Sequence, residues 1–277
     1  MYSIEKLENG FEYILLRNRV ASTKIALQGA HIFSYIREGE QDLLWMSKES
    51  AFENGVAIRG GIPLCWPRFG SLDTSLPQHG FARTSLFKLV SVNEEEELSV
   101  VTLRLQESEQ SMAIWNFSFE LRVTISVGKE LKISMSTTNT NEEELYITQA
   151  FHTYFWISDI ENILIEGLDG CNYIDTLKDK KEQQDNELYI NAETDRVYCN
   201  TPAKLLLQDK RRVVKLKSKG SASTVVWNPW VQKGNSMSYM HQNGYREFIC
   251  IETANAFDDY VIIKPQKNYT LELLVSF

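Results

Sequence analysis

A chain of 277 residues, 43% hydrophobic and 11% aromatic, has enough apolar side chains to fill a sizeable core. Its 29 basic and 37 acidic residues leave a net charge of −8, which argues against a nucleic-acid partner. The opening MYSIEKLENGFEY is polar and acidic with no apolar leader, and no stretch approaches the ~20 apolar residues of a membrane span, so a cytoplasmic protein that does not engage a membrane is expected.

Strand signals dominate in chain order. The first are residues 24–36 and 43–46. Residues 55–83, GVAIRGGIPLCWPRFGSLDTSLPQHGFAR, follow as a long structured loop, because Pro63, Pro67 and Pro77 would each break a helix and Gly60-Gly61 weakens one. The acidic run 94–97 reads as an exposed turn before a strand at 100–105, and residues 112–115 as one helical turn. Strands at 118–127 and 131–137 follow. Phe119-Glu120-Leu121-Arg122-Val123-Thr124-Ile125 alternates with period two, and Gly128-Lys129 reads as a tight hairpin. Further strands are predicted at 145–157, 163–168, 203–207, 212–217, 224–227, 247–253, 260–264 and 269–276, with the charged run 178–187 read as a solvated loop. No repeat or linker interrupts them. The expected architecture is all-β: one large antiparallel β-sandwich domain over residues 1–277.

The four cysteines are scattered with no CxxC pair and are expected to be reduced. The four histidines have no HxxxH or HExxH spacing, so no metal or other cofactor is expected.

Several residues carry chemistry. Arg59 and Arg83 flank a run holding Gln78, His79 and the flat ring of Trp66. The arginines either pair with a carboxylate such as Asp73 or form a fork for a phosphate or carboxylate ligand. On a strand, His152 shares a face with Ala150, Tyr154 and Trp156; it is either a core histidine or part of a cleft wall. Glu252 shares a face with Phe248 and Cys250 and is either exposed at a strand end or functional. Asp195, in ETDRVY, is a turn residue or a ligand contact, and Trp227-Asn228-Pro229-Trp230 reads as a strand ending in an aromatic corner. His31 is read as structural.

In order and spacing, GGIPLCWPRFG, LPQHGFAR, FHTYF, ETDRVY, VVWNPW and FICIE resemble the hexose-6-phosphate mutarotases. These are glucose-6-phosphate 1-epimerase-like members of the aldose 1-epimerase (galactose mutarotase-like) superfamily. The resemblance spans nearly the whole chain. It implies a β-sandwich, interconversion of the α and β anomers of sugar 6-phosphates, His152 and Glu252 as the catalytic pair, and Arg59, Gln78, Arg83 and Asp195 as substrate contacts. Arg68, Tyr239 and Thr253 depart from the family's usual residues in loop detail.

The chemistry of ring opening needs only an acid and a base. Glu252 is expected to be the ionised base and His152 the charged acid, its pKa raised by the neighbouring carboxylate. Arg59 and Arg83 would hold the 6-phosphate, and Asp195, Gln78 and His79 the sugar hydroxyls. The rival readings are an aldose 1-epimerase for unphosphorylated sugars, a glycoside hydrolase, and a non-catalytic carbohydrate-binding sandwich using Trp66 and Trp230. A monomer is expected.

Overall fold

The computed structural model describes residues 1–70 and 76–277. Asp73 therefore lies outside the described residues. The predicted alternation is realised where one face of a strand is buried and the other is not. In Phe119–Val127 every second residue is buried, and the strand pairs with Leu131–Asn139 through the Gly128-Lys129 hairpin. These two belong to an eight-stranded antiparallel sheet running Leu164–Glu166, Lys204–Gln208, Val213–Lys219, Asn268–Ser276, Leu131–Asn139, Phe119–Val127, Ser99–Gln106 and Lys88–Glu94.

A second eight-stranded sheet runs from Lys180–Gln183 through Asn172–Asp175, Thr194–Cys199, Ser223–Asn228, Phe248–Asn255 and Gln149–Phe151 to Leu64–Cys65, with Tyr154–Trp156 also pairing to Phe248–Asn255. Residues Tyr2–Lys6, Glu12–Arg17, Ala21–Ala26 and His31–Arg37 make a four-stranded sheet. The main core lies between the two large sheets: Ile249 and Ile251 share one apolar cluster with Val123, Ile125 and Leu273. Residues Phe248, Cys250, Glu252 and Ala254 point to the other face, as the period of two requires, and that face carries the cleft.

The antiparallel β-sandwich is as expected, but several boundaries differ. The predicted strand at 24–36 is split at a turn where Gly29 has φ +74°. Residues 43–46 form only isolated bridges, Leu44 to Phe155 and Met46 to Gly60. The run at 145–157 is three short strands, Leu145–Ile147, Gln149–Phe151 and Tyr154–Trp156. Its last break lets the chain step out of the sheet at His152-Thr153. Part of the predicted solvated loop at 178–187 is the strand Lys180–Gln183, whose four residues are all exposed. As an edge strand with both faces wet, it carries no hydrophobic pattern and tolerates charge. The helical turn at 112–115 is the helix Glu109–Ile114, capped by Ser108. Trp66 is no ligand platform. It is fully buried, its indole N–H donates to Thr137 Oγ1 (2.9 Å), and it packs on Trp115 and Phe119.

His31 is structural as read. It is wholly buried, with Nε2 2.9 Å from the Gly60 carbonyl, and burial lowers its pKa to about 3. It braces the Gly60-Gly61 turn, where a Cβ on Gly61 would stand 2.4 Å from the Ile32 carbonyl oxygen.

Candidate active site

The seven residues singled out in the sequence, Arg59, Gln78, His79, Arg83, His152, Asp195 and Glu252, all line one cavity of about 620 Å³ on the second sheet. Glu252 is not at a strand end. It sits inside Phe248–Asn255 and is 1% exposed. His152 reaches it from the neighbouring break in pairing, where the His152 backbone N–H donates to the Pro63 carbonyl instead of to the sheet. Its Nε2 lies 3.4 Å from Glu252 Oε1. Two buried polar atoms of the pair, His152 Nδ1 and Glu252 Oε2, have no hydrogen-bond partner. A buried polar atom without a partner costs about 1–3 kcal/mol, so a ligand that satisfies one is favoured.

Aromatic rings fix the imidazole. It stacks on Tyr154 (4.9 Å, 13° between planes), and Tyr154 stacks on Trp45 (5.8 Å, 21°). The Trp45 indole N–H donates to Glu247 Oε2 at 3.0 Å. His79 and Trp227 meet the His152 ring edge-on, each at 5.7 Å. This leaves the imidazole little freedom to rotate.

The protonation of the pair differs from expectation. Burial pushes the His152 imidazole well below its ordinary 6.5, and His79, Arg83 and Arg59 push it further the same way. Burial raises the Glu252 carboxyl well above its ordinary value. Asp195 adds to that and Arg83 opposes it. The expected lift of His152 by a neighbouring carboxylate is therefore outweighed. With both groups this deep, the ligand-free pair favours its neutral form, a carboxylic acid beside an imidazole.

The loop supplies the cations. Arg59 Nη1 is 3.5 Å from the Tyr154 hydroxyl, and its buried Nε has no hydrogen-bond partner. Arg83 Nη2 donates to the Gln78 carbonyl at 2.7 Å. Among the described residues neither arginine is paired with a carboxylate. His79 Nδ1 accepts the Gly70 N–H (3.2 Å), so its proton is on Nε2, and burial lowers its pKa to about 3. It is a neutral donor. His79 itself has φ +63°, and Gly80 follows at φ +71°, where a Cβ would lie 2.1 Å from the Trp66 carbonyl oxygen. Gly80→Ala is therefore expected to destabilise the protein by roughly 1–3 kcal/mol through backbone strain. Denaturant unfolding would measure the loss, and substrate KM should rise as His79 shifts.

Asp195, opposite Trp227 in the register, has its pKa raised by burial, while its hydrogen bond to Thr176 works the other way. Gln78 stands exposed at the rim. The sequence reading missed Tyr154, Trp227 and Lys233. Tyr154 shares the predicted face of His152 but was given no part, and Trp227 was read only as the start of an aromatic corner. Lys233 lies on the helix Trp230–Ser236, past the aromatic corner at 227–230 where no element was predicted, and its Nζ pairs with Glu193 at 3.0 Å. The departures Tyr239 and Thr253 do not line the cavity.

A buried acid–base pair, two arginines without a carboxylate partner among the described residues and a polar-lined cavity on one face of a β-sandwich suit a sugar ligand. The chain belongs to the aldose 1-epimerase family, whose pattern it matches over residues 12–276. It is 35% identical over 260 residues to a protein of Escherichia coli (strain K12) provisionally named glucose-6-phosphate 1-epimerase, covering 92% of this chain and 87% of that one. A protein of the same provisional name from Cenchrus ciliaris is 32% identical over 285 residues, covering 98% and 86%. The fold matches the crystal structure of a provisionally assigned mutarotase (YeaD) from Salmonella typhimurium with TM-score 0.93 and 32% identity, covering 99% of this chain and 92% of that one. Among the described residues, no helix is long and apolar enough to cross a membrane.

Proposed function

We propose that this protein interconverts the α and β anomers of hexose 6-phosphates, glucose 6-phosphate foremost. The observation that carries the reading is the presence of Arg59 and Arg83, neither paired with a carboxylate among the described residues, in the cavity that holds the His152–Glu252 pair. The names of the relatives support it. A charged sugar phosphate also fits action in the cytoplasm.

Glu252 takes the proton of the anomeric hydroxyl while His152 protonates the ring oxygen. The C1–O5 bond breaks and C1–O1 becomes a carbonyl. The aldehyde turns about C1–C2, and the ring closes on its other face as both protons return. Opening converts carboxylate plus imidazolium into carboxylic acid plus imidazole, with the proton count of the pair unchanged. Burial favours the second form, so the pocket stabilises the state that accompanies the open chain. The phosphate dianion, set against Arg59 and Arg83, offsets two of the charges that depress His152 and brings the imidazolium form within reach.

Freshly dissolved α-glucose 6-phosphate, α-glucose and α-galactose, followed in parallel by polarimetry, test this. Acceleration of glucose 6-phosphate at a kcat/KM about 100-fold above the free sugars is expected, a margin that two charge-assisted contacts supply. Equal acceleration of all three would assign the protein to unphosphorylated sugars, and no acceleration would leave a binding module.

A further inference from the structure

A second cavity, of about 440 Å³, lies beside the turn that carries Arg83: Arg83 lines the first cavity, and Phe81, Thr84 and Ser85 line the second. The two share no lining residue. Its volume falls within the range of small-molecule pockets, about 300–1,000 Å³. The path of the chain opens it. Lys88–Glu94 is the edge strand of the first eight-stranded sheet, and its first residue, Lys88, stands opposite Arg104. Just before Lys88 the chain is held elsewhere: the Phe87 N–H donates to the Leu27 carbonyl, and Leu86 bridges to Gln28. Leu105 and Gln106, which end the neighbouring strand, therefore have no strand partner on that side. The gap is walled by the start of the helix Glu109–Ile114.

Part of this cavity is cationic. Lys88 and Arg104 both line it as directly opposed residues of antiparallel strands, and Arg104 in turn stands opposite Arg122. Like charges directly opposite each other are destabilising. Among the described residues Glu120 is the only carboxylate paired with this row, at 3.6 Å from Arg104 Nη1 and 2.8 Å from Arg122 Nη2. Lys88 has no ion pair or hydrogen bond among the described residues. An edge-strand lysine guards a sheet against strand addition, but that purpose needs no arginine opposite it. Glu107 on the cavity wall opposes the cations, and its Oε2 is engaged by the Phe119 N–H at 3.2 Å. Two cations against one carboxylate leave the lining positive on a chain whose net charge is −8. Another part of the wall offers acceptors. Thr84 Oγ1 and Ser85 Oγ both donate to the Phe81 carbonyl, at 3.1 and 2.9 Å. With their protons committed, these hydroxyls present lone pairs, which repel phosphate oxygens and accept from an O–H. An anion that also carries hydroxyl groups satisfies both parts, whereas a bare phosphate satisfies only the first.

We propose that this cavity is a second binding site, for the phosphate monoester of a small polyol, with Lys88 and Arg104 on the phosphate and Thr84 and Ser85 accepting from its hydroxyls. The site is separate from the hexose 6-phosphate reading and does not depend on it. The test is residue-resolved amide NMR of the whole chain, titrated with sorbitol 6-phosphate and with inorganic phosphate at an ionic strength held constant with chloride. Sorbitol 6-phosphate should shift the amides of Thr84, Ser85 and Gln106 saturably, with a Kd at least about tenfold below that of inorganic phosphate at the same amides. The double variant Lys88→Gln, Arg104→Gln should weaken that binding at least about tenfold. Its amide spectrum away from the cavity reports whether it is folded, and the wild-type comparison of the two ligands stands even if it is not. Absence of saturable shifts at these amides, equal affinity for the two ligands, or undiminished binding by the folded variant overturns the site. Shifts confined to residues of the first cavity, such as His79 and His152, would place the ligand there alone and overturn it as well.

Discussion

Glu252→Gln should lower kcat for anomerisation of glucose 6-phosphate by about 10²–10⁴-fold with little change in KM, and His152→Asn should do the same. Glu252→Gln keeps the shape of the carboxyl, His152→Asn puts a smaller amide in place of the ring, and neither new side chain can exchange a proton. The loss, roughly 3–5 kcal/mol, therefore falls on the transition state and not on binding. The two groups act on one proton circuit across 3.4 Å. Their effects should not add: the double variant should be little worse than either single one. Steady-state polarimetry of the three variants checks this, and either single variant keeping normal turnover would remove the assignment.

The pH profile follows from the number of protons on the pair. The active pair carries one. Activity falls on the acid side when a second proton arrives, which burial delays by holding His152 well below its usual value. It falls on the alkaline side when the last proton leaves, which burial delays by holding Glu252 well above its usual value. The bell should therefore be broad, and each single variant should lose the limb of its missing group in the residual rate. Stability moves the opposite way from activity in Glu252→Gln. A carboxyl whose pKa is raised on folding binds its proton more tightly in the native state. Its favourable contribution is complete below the unfolded value near 4.5 and is lost as pH rises toward the folded value. The neutral amide escapes that loss, so the inactive variant should melt at a higher temperature than the wild type in alkaline buffer, an instance of stability traded for function.

How much of this was legible in the sequence depended on where each residue's partners lie. The alternation in Phe119–Val127 was readable because one face is buried and its hairpin partner is local. Tyr2–Lys6 and Lys180–Gln183 were not, because edge strands bury little and show no pattern. Trp66 looked like a ligand ring in a loop until Thr137, seventy-one positions away, took its N–H. His152, Glu252 and the two arginines stood out through motifs and a family resemblance, and the fold brings them to one cavity. Their protonation was not legible. It depends on how deeply long-range packing sinks the pair, and local sequence suggested a wet strand end where Glu252 is in fact 1% exposed. Lys233 was missed because a seven-residue helix is too short to show an apolar period of its own.

Arg59→Ala and Arg83→Ala should each raise KM for glucose 6-phosphate by roughly 10–100-fold while changing KM for free glucose less than about threefold. The size follows from one charge-assisted contact, about 1.5–3 kcal/mol. The selectivity follows from position, since both guanidinium groups line the cavity wall formed by the 55–83 loop. A purely structural role for Arg83, which also donates to the Gln78 carbonyl, would weaken both substrates alike. A second signature separates phosphate binding from general damage. The dianion offsets the charges that depress His152, so the acid limb of kcat should lie at higher pH with glucose 6-phosphate than with glucose. Arg83→Ala removes one of those charges from both complexes and should shift the acid limb with free glucose upward as well, toward the position that phosphate gives the wild type. Matching limbs for the two sugars in the wild-type enzyme would mean that the phosphate sits elsewhere and that the arginines serve the fold.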